Sequence, residues 1–252
     1  MWLGRESFIF LLLILASASI FAHGKLEPGD YLPVDPRAVT VAVFLLLLVI
    51  ALVSIVFSNR LSEKTKKFFF AIIAVSVVSA TLYAVGSTVF LNLISETQGP
   101  VHWHADFEIW VCGSQVKNLI AAKFPENKVG SELLHHHNDY RIHVEGVTVE
   151  KDDVSIGHFF EAIGGELTNQ SITIPLDDGT KVTYSNGRQC PNGKPGKLKL
   201  LVMNGQTAGR FVEKKELKDY VMSPHFSTIV EGGQGDMIMI VFGEQEGKEN
   251  GG

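Results

Sequence analysis

Six of the nine histidines in this 252-residue chain fall between His102 and His143. Most of them fall into pairs of one spacing: His102-Trp103-His104, His135-His136-His137 and, with a carboxylate as second member, His143-Val144-Glu145. On a strand, residues i and i+2 point to the same face, so each pair can present two donor atoms to one side. Imidazole nitrogen suits Zn, Cu, Ni or Fe, and a carboxylate can complete the shell. The three pairs together read as a transition-metal site, zinc or copper, with His102, His104, His135, His137 and His143 as nitrogen donors and Glu145 as a ligand or an outer partner. One such pair would mean little, because exposed histidines need no purpose, and His135-His136-His137 by itself also reads as a solvated loop. His158 reads as a surface residue of a short helix, and His225, after Pro224, carries no assignment.

These donors need strands to carry them. Residues 102–111 alternate between apolar and polar and end at Cys112-Gly113, a turn signal, and residues 141–149 alternate too. Neighbouring strands lie about 4.8 Å apart, close enough for both pairs to reach a common point. The loop ending at His137 leads into the second strand, so His135 and His137 can fold over that point. Asp152 or Asp153 is placed to N-cap a short helix over 154–163, closed by Gly164-Gly165. Asp177-Asp178-Gly179-Thr180 marks a hairpin between 171–175 and 181–184. Residues 197–203 and 237–242 read as further strands, and 212–221 as a second short helix. The expected class is α+β and mainly β, and the order strand, strand, helix, strand, strand fits a β-grasp-like sheet.

The succession His102-Trp103-His104, Leu134-His135-His136-His137-Asn138, Ile142-His143-Val144-Glu145 and Ser155-Ile156-Gly157-His158-Phe159-Phe160 resembles a family of uncharacterised prokaryotic membrane-anchored extracytoplasmic proteins. That family's pattern runs HxH, then HTHD and IHxE, then (T/S)LGDFF, and closes with a strand, an Asn-Gly turn and a final apolar strand. The resemblance covers about residues 99–243. His102, His104, His135, His137, His143 and Glu145 match it position by position. His136 stands in place of the Thr, Asn138 of the Asp, Ile156 of the Leu and His158 of the Asp. The Asn138 departure puts in doubt a carboxylate beside the site. The resemblance implies a shared site and names no reaction.

The rest of the chain says where such a domain sits. Residues 38–57 and 68–94 are uncharged apolar runs, each as long as or longer than the roughly 20 residues needed to cross a bilayer. Between them, the ten residues 58–67 carry Arg60, Lys64, Lys66 and Lys67 against Glu63, which places this loop in the cytoplasm and everything from about residue 96 outside. Residues 1–22 read as a signal peptide or an uncleaved anchor. The expected organisation is then a linker outside the membrane over 23–37, a two-helix membrane hairpin over 38–95, a histidine-rich domain over 99–243 and a disordered tail over 244–252.

Composition trims the alternatives. A net charge of −5, without a long basic tract, disfavours nucleic acid as partner. Neither a G-x-S-x-G elbow nor a phosphate-binding glycine loop is present. The two cysteines, Cys112 and Cys190, both lie in the expected outer domain and read as a disulfide. His23 would become an N-terminal copper chelate if a leader were cut after Ala22, and Gly251-Gly252 reads as chance. The first functional reading is a membrane-anchored, extracytoplasmic metal-binding protein in binding, delivery or sensing, whose partners are the bilayer and a membrane or extracytoplasmic protein. The rivals are a metal-dependent hydrolase or oxidase using the same site, and an interaction module whose histidines are incidental.

Overall fold

The computed structural model describes residues 31–223 and 234–244. The expected leader, most of the linker, His23, His225 and nearly all of the tail lie outside the described residues. The chain divides near Leu91 into two compact units.

The first unit is built on helices α1 (Pro36–Val56) and α2 (Glu63–Ile94). The Asp35 carboxylate accepts from the Arg37 N–H at 2.8 Å and Pro36 fills the first turn, where its missing N–H costs nothing. Before α2, the Ser62 hydroxyl accepts from the Thr65 N–H at 3.2 Å. The helix thus starts inside the basic loop, five residues before the apolar run. At 1.5 Å per residue the 21 residues of α1 span about 31 Å, one hydrocarbon thickness. Both helices are long and apolar enough to cross a membrane. Ile55 and Phe70 are 73% and 72% exposed, the opposite of what the core helices of a soluble protein show. Thr81 and Thr88 donate their hydroxyls to carbonyls one turn back, at Val77 and Ala84, which satisfies them inside an apolar helix.

The second unit is a mixed, sheet-rich domain. Its strands are β1 (Pro100–Val111), β2 (Ser114–Gln115), β3 (Val129–Gly130), β4 (Leu134–His136), β5 (Arg141–Val147), β6 (Glu166–Leu167), β7 (Ser171–Pro175), β8 (Lys181–Ser185), β9 (Gly196–Met203), β10 (Val212–Lys214) and β11 (Gln234–Glu244). Helix α3 (Ile156–Ala162) lies between β5 and β6 in the chain. The main sheet runs β10-β9-β11-β1-β5-β4-β3, with β2 paired to β1, and β6-β7-β8 form a second sheet. The central pair β1 and β11 is parallel; the other pairings are antiparallel.

One face of the main sheet is dry. Along β1, Trp103, Ala105, Phe107 and Ile109 are buried, and they meet Ile142 and Val144 of β5, Leu198, Leu200 and Val202 of β9, and Ile238, Ile240 and Phe242 of β11. Phe159 and Phe160 of α3 close this core, the Phe107 and Phe159 rings meeting edge to face at 5.2 Å. The alternate residues of β1 therefore face the other way. The hydrophobic demand of the core face fixes the register that turns the histidines outward, because a slip of one residue would bury them.

Several expectations are corrected. Helix α3 is capped by Ser155, whose hydroxyl accepts from the His158 N–H at 3.3 Å, not by Asp152 or Asp153. Asp153 is buried and accepts from the Val149 and Glu150 N–H groups. Residues 212–221 do not form a helix. Val212–Lys214 pairs with the β9 edge, and the segment after it is used up by other partners. The carbonyls of Lys218 and Tyr220 accept from the Gly157 and Ile156 N–H groups of α3, and the Leu217 and Lys218 N–H groups donate to Asn169 Oδ1. Gly157 is what permits the approach: a Cβ there would sit 2.7 Å from the Lys218 carbonyl oxygen. The segment expected to end a loop at His137 is partly strand β4, paired on both sides. The strands outnumber the six segments expected, because several have only two or three residues and too short a run to show a period.

Candidate metal centre

Three strands bring the histidines together. On the β1–β5 ladder His104 stands opposite His143, His102 opposite Glu145 and Asp106 opposite Arg141. On the β5–β4 ladder His143 stands opposite His135. A single row across three strands is thus His104, His143, His135, with His102 and Glu145 in the next row on the same face. Glycine is required at the far edge: Gly130, at φ +127, lies so close to the Leu134 carbonyl and to His135 that a Cβ would collide with both.

The donor atoms are close. His102 Nε2 lies 3.1 Å from His104 Nε2 and 3.1 Å from Glu145 Oε1. The same carboxylate oxygen is 3.7 Å from His143 Nδ1 and 3.9 Å from His135 Nε2. His143 stacks parallel to His135, centroids 5.4 Å apart, and meets His137 edge-on at 4.6 Å. Two sets of three histidines have ligand atoms within 4.8 Å of one another, His102-His104-His143 and His135-His137-His143. All five histidines singled out in the sequence are therefore in this cluster, as two overlapping triads hinged on His143 rather than as one set of equals. Around one tetrahedral ion, with metal–ligand distances of about 2.0–2.1 Å, donor atoms stand about 3.3–3.4 Å apart. The separations to Glu145 Oε1 bracket that value. These histidine groups could hold a metal ion, with three nitrogens and a fourth position for Glu145 or water.

Electrostatics keep nitrogens available. Burial pulls His135 down to about 4, helped by the Lys128 charge and the His137 and His143 rings and opposed by Glu145, so its imidazole is neutral at pH 7. The buried Nδ1 atoms of His135 and His143 have no hydrogen-bond partner among the described residues. A buried polar atom left in this way is costly, and a metal ion is one way to satisfy it.

Two carboxylates divide the labour. Asp106 shares the histidine face, but the Arg141 guanidinium grips it, Nε to Oδ1 at 2.6 Å and a terminal nitrogen to Oδ2 at 3.3 Å. Asp139 is the residue that sequence reasoning missed. Its Oδ2 lies 3.2 Å from His143 Nε2, while its Oδ1 accepts from the His137 and Arg141 N–H groups. It orients the shared imidazole, as carboxylates do behind metal-ligating histidines. Its neighbour Asn138 holds the loop instead, accepting from the Ala122 N–H at 2.7 Å. The signal was the acid beside Asn138, two residues from both His137 and Arg141.

The other two described histidines, His136 and His158, are structural. His136 is not in a solvated loop: it is 2% exposed, points to the core face and meets Phe107 and Phe159. Burial, first of all, lowers it to about 4. The Asn138 N–H donates to its Nδ1 at 3.2 Å, so Nε2 carries the proton. His158 is half-buried, with Nδ1 donating to the Asp152 carbonyl at 2.7 Å. Cys112 and Cys190 are joined in a disulfide, Cα atoms 5.6 Å apart.

No protein-family model, curated protein or solved structure matches this chain. The site has to speak through its own geometry.

Proposed function

We propose that this is a membrane-anchored transition-metal protein whose C-terminal domain lies outside the cytoplasm and holds zinc or copper on its histidine face, in binding, delivery or sensing. The observation that carries the reading is His143. It belongs to both triads, its buried Nδ1 has no hydrogen-bond partner among the described residues, and Glu145 and Asp139 flank its two nitrogens. His102, His104, His135 and His137 complete the donor set. A bound ion would supply Lewis acidity at a fixed point, while burial holds His135 neutral and Asp139 orients His143.

The orientation is supported by Arg60, Lys64, Lys66 and Lys67 between the two apolar helices and by the disulfide, which persists outside the reducing cytoplasm. A β-grasp-like reading of the domain is supported by the antiparallel pairing of β1 with β5, the helix α3 that follows β5 and packs on the core, and the pairing of β11 parallel to β1 at the sheet centre. We place the chain with the membrane-anchored extracytoplasmic family on its matching HxH and IHxE positions, with Asp139 in the office of the motif's displaced carboxylate. Elemental analysis of the full chain purified in detergent, beside a variant lacking His104 and His143, tests the reading.

A further inference from the structure

The histidine face does not end at β1. The row that contains Arg141 and Asp106 continues to Met237 on β11 and Met203 on β9. Met239 follows two residues along β11, opposite Leu201. On these two strands the core-facing positions are Leu198, Leu200, Val202, Ile238, Ile240 and Phe242, all buried. Each methionine of β9 and β11 is on the other face, half-buried, the face of the histidines. Methionines serving only as core filler would be among the buried residues.

Directly opposite side chains on paired strands have Cβ atoms about 4.5–5.5 Å apart, and i, i+2 neighbours are about 6.6 Å apart. Met203 and Met237 are an opposed pair and Met237 and Met239 an i, i+2 pair. Their long, unbranched side chains can bring three sulfurs to one point. Thioether sulfur is soft and neutral, so it selects Cu(I) over zinc or Cu(II).

We infer that Met203, Met237 and Met239 form a second site on this face, for a soft monovalent ion of the Cu(I) class. The inference rests on the proposed function in one respect, that copper is among the metals this face handles. Imidazoles and thioethers then lie one row apart on a single sheet face, His104 and Asp106 being i, i+2 neighbours on β1.

The test uses the full-length protein in detergent micelles, without oxygen, with Cu(I) competed against a chromogenic chelator. The wild type should hold Cu(I) with sulfur neighbours in its X-ray absorption spectrum. Replacement of Met203→Leu, Met237→Leu and Met239→Leu together, nearly volume-conserving changes, should weaken Cu(I) binding by roughly 100-fold or more while zinc binding persists. A wild-type shell of nitrogen and oxygen only, or equal Cu(I) affinity in the triple variant, overturns the site. The histidine reading fails separately, when wild-type protein takes up neither zinc nor Cu(II), and the sulfur shell then decides the Cu(I) site by itself.

Discussion

His104 and His143 face each other across β1 and β5 with ring centroids 4.4 Å apart and planes 78° from parallel. Direct cross-strand neighbours have no freedom to separate, since the ladder on either side is set by buried Trp103, Ala105, Ile142 and Val144. The core therefore holds two imidazoles together at a place where each would otherwise prefer water. His135 adds a third ring to the same row.

Asp139→Asn should weaken metal binding by roughly 10–100-fold and leave the fold unchanged, because the substitution removes the charge that orients His143 Nε2. Titration with zinc and a competing chelator measures it. Affinity equal to wild type would show that Asp139 only shapes the loop.

The metal-free protein should lose stability as pH falls from about 6.5 towards 4. Both His135 and His136 titrate near 4 in the folded state, below their ordinary value of 6.5. Across that window the unfolded chain binds protons that the folded chain refuses, so acid favours unfolding. The contribution is present above 6.5 and is lost as pH drops through the folded value. A full shift corresponds to roughly 3 kcal/mol per imidazole. Denaturant melts at pH 7, 5.5 and 4.5 read it, and His136→Gln should flatten part of the slope. A stability that does not change over this range would refute the neutral, buried state of both rings.

Removing the disulfide should destabilise the sheet domain. It joins residues 78 apart, and a loop of that size is worth roughly 4 kcal/mol in the chain-entropy account. Cys112→Ser with Cys190→Ser should lower Tm by several degrees, and the wild type under reductant should follow it. An unchanged Tm in both would mean that the bridge constrains nothing.

An impermeant thiol reagent applied to intact cells should fail to label a cysteine placed at Ser62, between α1 and α2, and should label one placed at exposed Asp178 of the sheet domain. The reverse pattern would invert the topology.

Much of the histidine face is legible in the sequence. Residues of β1 and β5 alternate because one side is core and the other is not, and period 2 then puts His102 with His104 and His143 with Glu145. What period could not carry was the pairing of β4 on β5, since three residues are too few to show an alternation. Strand alternation turns His136 to the core face, between His135 and His137 on the other, and so short a strand gives no run in which to see it. Asp139 was out of reach for another reason: Asn138 and Tyr140 take positive φ, 69° and 54°, and this turn aims the carboxylate. Residues 212–221 misled because their backbone groups go to α3, Asn169 and β9, tertiary partners that override local propensity.

The measurement that bears most directly on the central claim is the metal content of the full chain, purified in detergent after zinc or copper supplementation, beside His104→Ala with His143→Ala. The wild type should carry about one equivalent on the histidine face, and the double variant, which breaks both triads through their shared residue, should carry none. A double variant that keeps its metal, or a wild type that never contains any, would contradict the account and leave the histidine face as a surface for another protein.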